Sequence, residues 1–109
     1  RVSMVVGAMG CSTIVTSVFQ AIVDVEDFGM TTQQAVATPR FHHQGVPADL
    51  ITYDGEFPAA TIDALRQRGY RVVPHDWPLG DLQMIVRTPD GWDAASDPRG
   101  RGEVRRLPQ

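Results

Sequence analysis

Six residues near the start, Gly7-Ala8-Met9-Gly10-Cys11-Ser12, carry the strongest chemical signal in this 109-residue chain. They follow the apolar run Val2, Met4, Val5, Val6 and lead directly into a helical pattern, so they form a glycine-flanked turn from strand to helix. At such a turn the first backbone N–H groups of the helix lack intrahelical partners. They can hold a carboxylate, a phosphate or the oxyanion that develops during acyl transfer. The N–H groups of Gly10 and Cys11 are the candidate donors, although glycines here also have a plain use in turning the chain. Cys11 permits a second chemistry. A thiol at a helix N-terminus ionises more easily, and His42 or His43 as base would make a Cys–His hydrolase. No local signature around Cys11 supports that chemistry.

The pair His42-His43 invites a metal ion, but adjacent residues on an extended chain point in opposite directions, so one ion does not easily take both. His75 stands alone in a proline-rich loop, and no cysteine or carboxylate spacing matches a zinc site, so no metal is expected. A structural role is the simpler reading, with Arg40 and the two imidazoles satisfying buried backbone groups. Near the end, Ser96-Asp97-Pro98-Arg99 reads as a turn closed by an Asp–Arg ion pair.

The elements that must position these residues follow from periodicity and breakers. Residues 2–6 predict a short strand, apolar enough to be buried on both faces. Ser12 or Thr13 can cap the next helix, which runs to Glu26 with Ile14, Val18, Ile22 and Val25 at helical spacing. Its polar stripe (Thr13, Thr16, Ser17, Gln20, Asp24) is narrow, which predicts a mostly buried helix. Thr31 or Thr32 opens a short helix that Pro39 stops. Leu50 to Tyr53 predicts a strand, Pro58 a helix closed by Gly69, and Tyr70 to Val73 another strand. Leu82, Met84 and Val86 alternate with polar residues and pair through Pro89-Asp90-Gly91 with Trp92 to Ala95 as a hairpin. The result is an α/β mixture ending in an antiparallel hairpin.

Composition sets the outer limits. The length allows one domain, and 42% hydrophobic with 21% charged residues describes an ordinary globular segment. A net charge of −3 argues against a nucleic-acid surface. No window approaches the length of apolar sequence that spans a membrane. All ten basic residues are arginine, which we read as base-composition bias, and the single cysteine excludes an intrachain disulfide.

Four motifs in order, Gly7-x-x-Gly10-x-Ser12, Asp27-Phe28-Gly29, Pro39-Arg40-Phe41-His42-His43-Gln44 and Ala95 to Arg99, give the chain from about Met4 to Arg99 its resemblance to the gamma-glutamyltranspeptidase family. The resembling part is the C-terminal portion of the small subunit. The family carries a Gly-Gly pair where Gly10-Cys11 stands, so the resemblance implies an oxyanion hole made by these two backbone N–H groups, with cysteine replacing the second glycine. It also implies a fold, that of an N-terminal-nucleophile hydrolase with two central sheets between helical layers (αββα). Autocleavage in that family frees an N-terminal threonine, which attacks a gamma-glutamyl amide with its own amine as base. The acyl group then passes to water, an amino acid or a peptide.

The implied substrate is a gamma-glutamyl small molecule of the glutathione type, with no cofactor, and the implied location is periplasmic or secreted. The implied partners are the remainder of the small subunit and the large subunit. Arg1 is no nucleophile and no threonine here stands in the family's processing motif, so the chain is expected to be a fragment that is inactive alone. Residues 1–99 are then the scaffold and 100–109 a flexible tail that departs from the family's usual ending. A related acylase or amidohydrolase of the same fold, and a non-catalytic interaction module, are the other readings. Because its apolar helix and strand exceed what the short remaining elements can cover, the chain alone is expected to self-associate or be unstable, with Ile14, Val18 or Phe19 contacting another chain or another copy.

Overall fold

The structure, a computed structural model, describes residues 1–108. Strand β1 (Met4–Met9) leads through Gly10-Cys11-Ser12 into helix α1 (Thr13–Glu26). Helix α2 (Thr32–Ala37) opens with a capping box: the Thr31 hydroxyl accepts from the Gln34 N–H, and the Gln34 side chain accepts from the Thr31 N–H. It stops where Pro39 forces Thr38 into an extended conformation. Then follow β2 (Phe41–His42), β3 (Leu50–Tyr53), α3 (Ala59–Gln67), β4 (Arg71–Pro74), β5 (Asp81–Thr88) and β6 (Gly91–Ser96).

The strands form two small sheets. One has the order β1-β5-β6 and is antiparallel throughout. The other, β2-β3-β4, is mixed: β2 and β3 are antiparallel, while β3 and β4 are parallel with α3 as the crossover. The short strand β2 escapes sequence reading because two residues show no periodicity.

The core lies where α1 and α2 cover one face of the first sheet, with Ala21, Ala35, Val36, Leu82, Met84 and Ala95 buried. Two expectations about burial are corrected. Strand β1 is not covered on both faces: Met4, Val6 and Ala8 pack inward, whereas Val5 and Met9 remain 57% and 70% exposed. The two-residue period sends alternate side chains outward, and no helix among the described residues covers that outer face.

Helix α1 turns part of its polar stripe inward, while Val18 and Val25 pack against the core as expected. Its buried side chains are Thr13, Ser17 and Ala21, while Val15 and Phe19 are 74% and 64% exposed. The cause is close approach. A Cβ on Gly80, just before β5, would lie 2.8 Å from Ser17 Oγ, so only small residues fit beneath the helix. Val15 and Phe19 are left facing out. Beyond Arg99 the backbone crosses the sheet, with Gly100 against Asp81 and the Arg106 guanidinium donating to the Trp92 carbonyl at 3.2 Å.

Candidate active site

The turn between β1 and α1 has an unusual backbone. Gly10 takes φ +138° and Cys11 φ +55° before Ser12 enters helical geometry. The Gly10 carbonyl accepts from both the Thr13 N–H (3.1 Å) and the Thr13 hydroxyl (2.7 Å), and the Cys11 carbonyl accepts from the Ile14 N–H (3.1 Å). In a trans peptide the C=O and the following N–H point in opposite directions. Holding the Gly10 oxygen inward therefore turns the Cys11 N–H outward, and holding the Cys11 oxygen does the same for Ser12. Among the described residues, the N–H groups of Gly10, Cys11 and Ser12 donate to no protein acceptor. Three successive free donors thus stand at the positive end of a 14-residue helix.

Sequence reasoning singled out Gly10 and Cys11 but missed Ser12, whose side chain makes no cap bond. The signal was present: the first N–H groups of any helix are orphans. Gly10 tolerates no side chain, since a Cβ there would sit 2.5 Å from Thr13 Oγ1 and 3.4 Å from Gly80 Cα. Cys11 is exposed in a left-handed conformation that costs a residue with a Cβ about 1–2 kcal/mol.

A cleft of about 700 Å³ opens at this turn, with His42, Gln44, His75 and Trp77 on its walls. His42 is held at both ring nitrogens, Nδ1 to the Thr16 hydroxyl and Nε2 to Gln44 Oε1, each at 2.7 Å. The His75 Nδ1 meets the Thr52 hydroxyl at 2.9 Å, and its ring stands edge-on to Trp77 at 5.1 Å. His43 turns the other way, to the Ala48 carbonyl at 3.0 Å. The adjacent histidines therefore diverge, as their alternation requires. His42 shares the cleft with Cys11, but its ring nitrogens are engaged elsewhere, which counts against a Cys–His pair. No group of three or more metal-ligating side chains occurs among the described residues.

Behind the turn lies a buried ion network. Arg40, 1% exposed, donates from Nε to the Leu79 carbonyl (2.7 Å), from Nη1 to the Val36 carbonyl (3.1 Å), and pairs through Nη2 with Asp97. Arg99 makes a forked pair with Asp54 at 2.8 and 2.9 Å and also reaches Asp97 at 3.2 Å. Asp54 accepts from the backbone N–H groups of Arg40 (3.0 Å) and Leu79 (2.7 Å). Burial pulls the Asp54 carboxyl upward, but the bonds from Arg99, Arg40 and Leu79 outweigh it and hold it below its ordinary value. Burial, with Arg99 nearby, lowers the Arg40 guanidinium from its ordinary value, and Asp97 and Asp54 counter part of that. The expected Asp97–Arg99 pair is present. The imidazole of His42 bonds side chains instead of the backbone groups expected for it, whereas Arg40 does satisfy backbone carbonyls.

The network joins the end of α2, the start of β2, the turn after β3 and the segment after β6. It locks the two sheets together and fixes Leu79, the residue before the Gly80 that supports the turn.

A family model described as gamma-glutamyltranspeptidase matches residues 1–107. The glutathione hydrolase proenzyme of Pseudomonas aeruginosa is 42% identical over 104 residues, which are 94% of this chain and 19% of that relative. The chain thus spans about a fifth of the curated relative's length. Among solved structures, the gamma-glutamyltranspeptidase of Pseudomonas nitroreducens superposes with a TM-score of 0.91 at 39% identity, over 99% of this chain and 57% of that one. The cephalosporin acylase of Bacillus halodurans superposes with a TM-score of 0.85 at 27% identity, over 95% of this chain and 20% of the other.

Proposed function

The chain belongs to the gamma-glutamyltranspeptidase family, and from that premise we propose that it supplies the oxyanion-stabilising turn of an enzyme that cleaves gamma-glutamyl amides. One observation carries the reading: the N–H groups of Gly10 and Cys11 stand free at the mouth of a cleft, on the turn where the family carries its Gly-Gly pair. Preorganised backbone donors aimed at a developing oxyanion form a large part of the catalysis of acyl transfer. The nucleophile is an N-terminal threonine supplied by the remainder of the protein. It attacks the gamma-carbonyl, negative charge collects on the carbonyl oxygen, and the donors of Gly10 and Cys11 hold it until the amine leaves. Water or an amine acceptor then takes the gamma-glutamyl group. Residues 1–99 act as the scaffold of this turn.

The side chain of Cys11 takes no part in the step, so the backbone is the object of the test. In the assembled enzyme, Cys11→Gly keeps most of kcat on a gamma-glutamyl anilide. Replacing the Gly10–Cys11 amide by an ester removes the donor without forcing φ of Cys11 away from +55°, as proline would, and lowers kcat on the order of 10²-fold, with folding checked by circular dichroism. Equal kcat for the glycine variant and the folded ester-containing enzyme removes Cys11 from the site. The likeness to a cephalosporin acylase favours one second reading, the same chemistry on a different amide. Turnover of an N-acyl side chain with none of the gamma-glutamyl anilide decides for it.

A further inference from the structure

We infer that Thr13 is a positioning residue whose hydroxyl aims the Cys11 N–H at the reacting oxygen; the inference rests on the functional reading above. Thr13 lies at the floor of the cleft, 4% exposed, with its hydroxyl already engaged by the Gly10 carbonyl. Its Oγ1 donates to the Gly10 carbonyl at 2.7 Å, beside the 3.1 Å bond from its own N–H to the same oxygen. The Gly10–Cys11 peptide is one rigid plane, so whatever fixes its oxygen fixes the direction of its N–H on the opposite side. This plane turns about ψ of Gly10 and φ of Cys11, and Cys11 is held at a positive φ of +55°. Left to itself such a peptide can flip, because the flip lets Cys11 leave a positive φ that a residue with a Cβ disfavours.

The fold blocks the flip from two directions. Thr13 draws the carbonyl down. Gly80, whose Cα is 3.4 Å from the place a Gly10 Cβ would occupy, closes the space beneath the turn. Gly80 follows Leu79, whose N–H and carbonyl are held by Asp54 and Arg40. The hydroxyl is thus the one part of this clamp that a single isosteric substitution can remove while the Thr13 N–H bond and the packing remain.

The test uses the assembled enzyme with Thr13→Val and Thr13→Ser. The valine variant has kcat lowered on the order of tenfold, a part of the loss expected for a missing oxyanion donor. KM stays within about twofold, because the ground state does not need the aimed N–H. Serine restores the hydroxyl and the rate. A crystal structure of Thr13→Val provides a readout independent of turnover, and the Gly10–Cys11 peptide is there rotated or present in two orientations. A folded valine variant with wild-type kcat, or an unmoved peptide in the crystal, overturns the inference. An unsubstituted enzyme inactive on gamma-glutamyl amides counts against the functional reading, and the peptide orientation still decides the role of Thr13.

Discussion

The ion network behind the turn and the outer side of α1 invert the usual arrangement in opposite ways. At the network, two arginines and two aspartates are buried or nearly so. On α1, Val15 and Phe19 lie open to solvent. The difference lies in where the partners come from. Each charged group in the network finds its counter-ion and its backbone partners within this chain, carbonyls for the arginines and N–H groups for the aspartates, so desolvation is met by hydrogen bonds made locally. The apolar side of α1 has no cover among the described residues. Polar burial here marks what the chain completes by itself, and apolar exposure marks the surface it does not cover itself.

The most damaging way to break this contrast is to leave one charge of the network unpaired. Asp97→Ala strands Arg40 at 1% exposure and also frees the Leu82 N–H that Asp97 accepts at 2.9 Å. Removing one partner of a buried pair costs about 3–5 kcal/mol, a large share of the total stability of a small domain. Chemical denaturation of the assembled protein measures it. The double variant Arg40→Met/Asp97→Leu is expected to be less destabilised than Asp97→Ala, because it leaves no charge alone. A loss below about 1 kcal/mol for Asp97→Ala, the scale of a surface pair, breaks the comparison.

The opposite region is sharpened by making it polar. Phe19→Ser and Val15→Ser remove apolar surface that is open in this chain alone, so the chain's own folding changes little while its self-association falls. Sedimentation velocity of the chain before and after substitution reads this. In the assembled enzyme the same change weakens association by about 1.5–3 kcal/mol, the scale for burying one such side chain. Unchanged assembly would place the covering contact elsewhere.

Much of this contrast lay beyond the sequence for one physical reason, the range of the interactions. The Gly10 turn, the helix start at Thr31 and the closing hairpin rest on neighbours a few residues apart, and they were legible. The side that α1 turns inward depends on Gly80, far along the chain. The pattern placed Thr13 and Ser17 on the polar stripe, and the narrow space beside Gly80 buries Ser17 instead. Arg40 gave no sign of its link to Asp97, whereas the Asp97–Arg99 pair was readable because two residues separate its members. At the site, Gly10 and Cys11 were legible as orphan donors, but the part of Thr13 requires knowing which way the peptide faces.

The smallest expected effect is that of pH. Asp54 has its folded value depressed, so its contribution to stability is complete above the ordinary carboxylate range of about 4. It is lost as pH falls through the lower folded value. Asp24 works in the other direction, since burial raises its carboxyl despite Arg40, and its protonation eases folding in acid. The difference between wild type and Asp54→Asn is therefore largest near neutral pH and shrinks in acid. A difference independent of pH would mean that the Asp54 charge is not what holds Arg99.

The central claim is that the free N–H groups of the turn receive the oxygen of a gamma-glutamyl acyl group, and a crystal structure of the assembled enzyme carrying a gamma-glutamyl electrophile tests it most directly. The account predicts that the bound carbonyl or tetrahedral oxygen lies about 2.7–3.1 Å from the nitrogens of Gly10 and Cys11. An oxygen directed to other donors, with both of these nitrogens left to solvent, contradicts it.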